Sequence, residues 1–169
     1  EAWVNKGVAH AELEEWDAAI GAYREALYLG EKTEIERDPD ETDSRLASGQ
    51  YAAEAETNLA YALWQSGRGE QALEHAERAV ELDERFSQAW YNRGFLLLER
   101  GLAEEALDSF DNAIRLGLRS AEILEEKARA LEETGEYEQA EEIAAEAEEM
   151  RERAEEELVQ DSGQERLQR

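Results

Sequence analysis

The sequence predicts an all-α solenoid of about four antiparallel helix pairs, and three observations predict it. Small residues recur in register at 34-residue steps: Gly67, Gly101 and Gly135; Ala72, Ala106 and Ala140; Ala79, Ala113 and Ala147. Each copy holds two short stretches with apolar residues at helical spacing, and the two stretches are separated by a Gly-marked turn. Cysteine is absent, so no disulfide framework or cysteine metal site competes with the repeat pattern, while the only proline is Pro39 and no repeat carries one near its end.

The clearest copy runs from Ser87 to Gly117. In its first half Trp90, Gly94 and Leu97 fall on one helical face, and Gly101 marks the stop. In its second half Ala106, Leu107, Phe110, Ala113 and Ile114 form a stripe opposite Glu104, Glu105, Asp108 and Asp111, closed by Gly117. Helices this short are marginal alone, and a two-residue link forces them to pack antiparallel, so the unit is a helical hairpin. Gly7, Ala60, Gly94 and Ala128 recur early in each first helix, where small side chains allow a close crossing.

In chain order, repeat one covers 2–33, an insertion 34–52, repeat two 53–86, repeat three 87–120 and repeat four 121–150, with a C-terminal helix and tail over 151–169. The whole of 1–169 is read as one domain, because a solenoid's length counts repeats. Repeat one predicts helices near 2–13 and 16–29, with a pattern over Tyr28 to Ile35 that allows the second to continue past Gly30. The pair Ala19 and Ala26 lies 53 residues before Ala72 and Ala79, one period plus a 19-residue insertion. Within the insertion, Arg37 to Asp43 reads as a turn sequence, and from about Asp43 an almost unbroken helical pattern runs to Ser66. Its bland reading is a solvated extension of a hairpin; the sharper one is a projecting arm with Ile35, Leu46 and Tyr51 as its apolar anchors. His10 and His75 are isolated, which predicts for His10 a satisfied histidine in the hairpin core, and for neither a metal ligand. From Asp161 the chain reads as a fraying tail.

These features resemble the tetratricopeptide repeat family. Trp3-Val4-Asn5-Lys6-Gly7 and Trp90-Tyr91-Asn92-Arg93-Gly94 are similar to its opening, and Tyr23 and Phe110 to its aromatic position. Repeat two departs by placing Glu56 where Trp stands, and repeat four keeps Leu124 and Ala128 but little else. The resemblance, over about residues 2 to 150, implies a right-handed superhelix whose first helices line a concave groove.

The composition is strongly acidic: 18 basic against 44 acidic residues give a formal net charge of -26, and the only lysines are Lys6, Lys32 and Lys127. From Ala121 onward 18 acidic and 6 basic residues give a capping end of net charge -12. Such charge opposes binding to nucleic acid and to anionic membranes. Its arginine preference resembles the proteins of salt-loving organisms. No apolar run is long enough to cross a bilayer, and Glu1 beside Trp3 suggests a fragment, leaving localisation open with the cytoplasm favoured.

No phosphate loop, nucleophile elbow or metal-ligand spacing is present, so neither catalysis nor a cofactor is expected. Glu pairs such as Glu132-Glu133 and Glu141-Glu142 read as solvated helix surface. Binding is better supported. Tyr91, Phe95 and Leu98 form a second apolar stripe on the helix already carrying Trp90, and Tyr61 and Trp64 repeat it beside Asn58. The resemblance implies that this stripe faces the groove and that Asn5, Asn58 and Asn92 form a ladder of amides holding a peptide backbone. Val8 extends the groove in repeat one, and Arg129 stands among Glu125, Glu126 and Glu133 in repeat four. The expected partner is a peptide or protein segment with apolar and some basic side chains. The family's carboxylate-clamp subgroup is not matched, since its basic positions are Val4 and Gln88 here, with Asn92 at the third. The alternatives are a homo-oligomerising scaffold and an accessory segment of a larger enzyme.

Overall fold

The computed structural model describes residues 2–35 and 42–167, with side chains described except over 33–48 and from 159 onward. Of the turn expected over Arg37 to Asp43, residues 37–41 lie outside the described residues and Thr42 and Asp43 open the third helix; the side chains of Ile35 and Leu46 also lie outside the described residues. Eight helices are described: α1 (Ala2–Glu12), α2 (Trp16–Ile35), α3 (Thr42–Gln65), α4 (Gly69–Leu82), α5 (Ser87–Glu99), α6 (Ala103–Arg115), α7 (Ala121–Thr134) and α8 (Tyr137–Leu167). They pack in succession, α1 on α2, α3 on α4, α5 on α6 and α7 on α8, with α2 on α3, α4 on α5 and α6 on α7 joining the pairs. The odd-numbered helices also touch one another along one side, α1 to α3, α3 to α5 and α5 to α7. The chain is an all-α solenoid of four antiparallel pairs.

The recurrent small residues do what their spacing predicts. A Cβ on Gly7 would stand 2.4 Å from Cε1 of Tyr23, and one on Gly94 would stand 2.8 Å from the Phe110 ring. Both rings are buried, so the glycines are what let each first helix cross its partner over an aromatic side chain. Ala60 and Ala128 hold the corresponding places and are buried too. In the second helices Ala19, Ala72, Ala106 and Ala140 are buried, as are Ala79, Ala113 and Ala147, while Glu104, Glu105, Asp108 and Asp111 face water.

The hairpin turns are Schellman motifs, in which the N–H after the αL residue bonds back to the carbonyl five residues earlier. Arg68 bonds to Leu63, Leu102 to Leu97 and Glu136 to Leu131, with Gly67, Gly101 and Gly135 at positive φ. The first hairpin makes the same bond, Glu15 to His10, yet its αL position is Glu14 at φ 58°. A side chain there strains the backbone.

Three expectations change. Trp90 does not pack only within its own hairpin; its indole lies against Ala79, Val80, Phe86 and Ala89, and its N–H donates to the Glu84 carbonyl at 2.9 Å. A large ring near the start of α5 reaches back over the preceding α4. The second helix continues past Gly30 to Ile35, the longer of its two sequence readings, whereas α8 continues helically to Leu167 through the segment read as a tail. The residue at the missing Trp, Glu56, is fully buried and is paired with α4: His75 Nδ1 lies 2.5 Å from Oε2, and an Arg78 guanidinium nitrogen lies 3.1 Å from Oε1, which makes no hydrogen bond. His75 therefore has a structural partner, and His10 has one as well, with Nδ1 2.6 Å from Glu15 Oε2 at the edge of the first turn rather than in the core.

Candidate functional site: an aromatic groove on the inner helices

Helical spacing puts Tyr61 and Trp64 one turn apart on α3 and Tyr91 and Phe95 one turn apart on α5. The contact of α3 with α5 brings the two sets together, and Trp64 meets Phe95 edge to face with centroids 4.8 Å apart. Tyr61 lies 6.3 Å from Trp64 on one side and 6.0 Å, edge-on, from Trp16 on the other. The result is a continuous row, Trp16, Tyr61, Trp64 and Phe95, that crosses from repeat one to repeat three. Tyr61 is 47% exposed, and Trp16, Trp64 and Phe95 are half-buried, so the row is packed from behind and open in front. Gln65 Nε2 donates to the Tyr61 hydroxyl at 2.8 Å, which fixes that ring.

Trp16 was not singled out in the sequence. Its signal was there: it opens α2 immediately after the first turn, a large aromatic where a solvated helix start has none. Tyr91 sits deeper than the row, tilted 6.2 Å from Phe110. Burial, then the charges of Glu122 and Glu126 and a hydrogen bond to Glu122, push its phenol well above the usual tyrosine range, so it stays a donor.

Leu98 does not belong to the groove. It is 3% exposed and packs within the core beside the equally buried Leu96 and Leu97. Val8 and Asn5 are exposed on α1. Asn58 is half-buried on α3 with no hydrogen bond to its amide among the described residues. Asn92 is committed internally: its Nδ2 donates to the Thr57 carbonyl at 3.3 Å across the repeat junction, and its Oδ1 accepts from Gln88 at 3.0 Å. The three asparagines therefore share a repeat position but not a role.

The far end of the row is acidic. Arg129 lies 2.6 Å from Glu99 and 3.2 Å from Glu126, and Arg151 of α8 binds Glu125. Burial pushes the Glu126 carboxyl up, with Arg129 opposing and Glu99, Glu122 and Glu125 adding to the rise. Arg129 is thus a neutralised link between α5 and α7, not a free cation, and carboxylates outnumber cations here. Among the described residues no group of three His, Cys, Asp or Glu could hold a metal ion, and no helix is long and apolar enough to cross a membrane.

A family model described as tetratricopeptide repeat matches residues 1–41, 57–117 and 96–155, most of the chain. The chain belongs to the tetratricopeptide repeat family. Among solved structures it is similar to MamA, with a TM-score of 0.55 at 19% identity over 92% of this chain and 93% of that one. It is also similar to the C-terminal TPR-containing domain of a Plasmodium falciparum protein described as FK506-binding, with a TM-score of 0.68 at 20% identity over 82% and 89% of the two chains. A MamA double mutant gives a TM-score of 0.67 at 16% identity, covering 90% of this chain and 75% of that one. No curated protein matches in sequence. At these identities the likeness is one of fold: a groove-forming helical-repeat scaffold.

Proposed function

We propose that the chain is an adaptor that holds an extended peptide segment against the inner faces of α3 and α5, without chemistry of its own. The observation that carries this reading is the aromatic row Trp16, Tyr61, Trp64 and Phe95, closed by the edge-to-face contact of Trp64 with Phe95 and open along its front. Rings supported from behind bury apolar area on a ligand at little entropic cost, which makes them binding anchors. The acidic end around Glu99, Glu122 and Glu126 favours a ligand with an apolar stretch followed by lysine or arginine. Asn58, and Asn5 beyond it, offer amides that donate and accept along the peptide backbone.

A peptide array probed with wild type and with Tyr61→Ala tests the reading. The Tyr61 ring is exposed enough to remove without opening the core. Apolar-basic peptides are expected to bind wild type and to lose about tenfold or more in affinity with the variant. Equal binding by both proteins, or preference for acidic peptides, would overturn it.

A further inference from the structure

We infer that the cavity between the first two hairpin turns is a subsite for a cationic side chain, lysine or arginine, carried by the segment that lies along the aromatic row. The inference deepens the adaptor reading and rests on it for the origin of that side chain. The cavity measures about 490 Å³ and is lined by Glu14, Glu15, Trp16, Asp17, Ser66 and Arg68. Trp16 belongs both to it and to the row, so the cavity adjoins the end of the row opposite Phe95.

Two residues of the first turn break the repeat, and both line this cavity. Asp17 is ordinary: Glu70, Glu104 and Glu138 hold the same place in the other second helices, where a carboxylate complements the helix N-terminus. Trp16 is not, since Gly69, Ala103 and Tyr137 stand there in the other repeats. Glu14 is the second departure. It holds the left-handed position that Gly67, Gly101 and Gly135 fill elsewhere, at φ 58°, where a side chain strains the backbone. Closing the hairpin does not require it, because the same turn forms around glycine in the other three repeats.

The charges of the cavity do not balance. Arg68 is taken up by Asp17, 2.6 Å away across the junction of repeats one and two, and Glu15 faces His10. Glu14 is exposed and its carboxylate has no partner among the described residues. An unpaired carboxylate and a half-buried indole in one cavity match a cation on a flexible apolar stem: the ring packs against the stem, and ring and carboxylate together attract the charge. The row sets the register. Its centroids are 6.0, 6.3 and 4.8 Å apart, about 17 Å along its length, so about five residues of extended chain separate the side chain over Phe95 from the one in the cavity.

The first probe is N-acetyl-arginine N-methylamide, titrated at fixed ionic strength into the full chain labelled with fluorotryptophan, with the citrulline analogue as its uncharged control. The Trp16 resonance, assigned by its loss in Trp16→Tyr, is expected to move saturably with the arginine probe alone, while Trp3 and Trp90 stay in place. Glu14→Gly relieves the left-handed strain, so it folds, and it is expected to weaken that response about threefold, the weight of one exposed carboxylate. Glu138→Gln, which removes the same unit of charge from α8, is expected to leave the response unchanged. The second probe is the strongest apolar-basic array peptide, resynthesised with arginine or citrulline five residues from its outer apolar anchor. The arginine form is expected to bind wild type about threefold more tightly than the citrulline form, and the two to bind Glu14→Gly alike. A Trp16 signal that stays put, that moves equally with citrulline, or that is the same in Glu14→Gly would overturn the inference without touching the Tyr61 dependence of peptide binding. Peptides indifferent to Tyr61→Ala, with Trp16 still responding to arginine, would sink the adaptor reading and leave the cation subsite standing.

Discussion

Removing the His75 imidazole should destabilise repeat two out of proportion to its size. Glu56 is fully buried at a position held by Trp3, Trp90 and Leu124 in the other repeats, and its carboxyl group meets His75 Nδ1 at 2.5 Å and the half-exposed Arg78 at 3.1 Å. His75→Ala leaves that buried carboxyl group with one solvent-facing partner whose guanidinium makes no hydrogen bond to Oε1. Breaking a buried pair from one side costs about 3 to 5 kcal/mol, and because Arg78 remains the lower end, about 3 kcal/mol, is expected. Replacing both partners, Glu56→Leu with His75→Leu, removes the desolvated charge altogether and should fall within about 1 kcal/mol of wild type or exceed it. Urea unfolding followed by far-UV circular dichroism reads both differences. Since buried pairs are little screened, the ordering should persist in concentrated KCl. A single variant as stable as wild type, or a double variant as damaged as the single one, would refute the reasoning.

Glu14→Gly should stabilise the chain by about 0.5 to 1 kcal/mol, the left-handed strain at φ 58° less the extra entropy of glycine, seen as a small rise in the thermal midpoint. Gly94→Ala should cost about 1 to 2 kcal/mol, because a Cβ 2.8 Å from the Phe110 ring overpacks the crossing by more than the helix propensity of alanine returns. Glu126 has its carboxyl raised by burial, so it holds its proton more tightly folded than unfolded, and the stability it contributes is present at low pH and lost as pH rises through the folded value. Glu126→Gln should therefore gain on wild type as pH climbs from about 4 to neutrality, and a difference that is flat across that range would contradict the assignment. Stability of the whole chain should rise with KCl, because a net charge of -26 repels itself and salt screens it; a melt independent of salt would argue against that.

The fold was legible because its signals are local and repeated. The spacing of Gly67, Gly101 and Gly135 reflects a backbone geometry that only a few residues tolerate, and Gly7 and Gly94 mark crossings where a methyl does not fit. The site was half legible. Tyr61, Trp64 and Phe95 come together in one row, but a stripe does not tell how deep each turn lies, and Leu98 is covered by neighbours that no periodicity names. Asn92 shows a second limit. Its position matches Asn58 in the repeat, yet whether an amide meets a ligand or the previous repeat's carbonyl depends on the distance between helices, which sequence does not carry. Trp16 and Glu56 show a third limit: each stands out from the repeat pattern in the sequence, but only the three-dimensional neighbours, Tyr61 for one and His75 for the other, show what the departure does.

The central claim is that the row of rings between Trp16 and Phe95 is a peptide-binding surface. Isothermal titration of the strongest apolar-basic array peptide against wild type and Tyr61→Ala, with thermal midpoints recorded alongside, tests it most directly. The account predicts one site per chain, a negative heat-capacity change from buried apolar area, and about tenfold or greater loss of affinity in the variant at an unchanged midpoint. Affinity equal in the two proteins would contradict it.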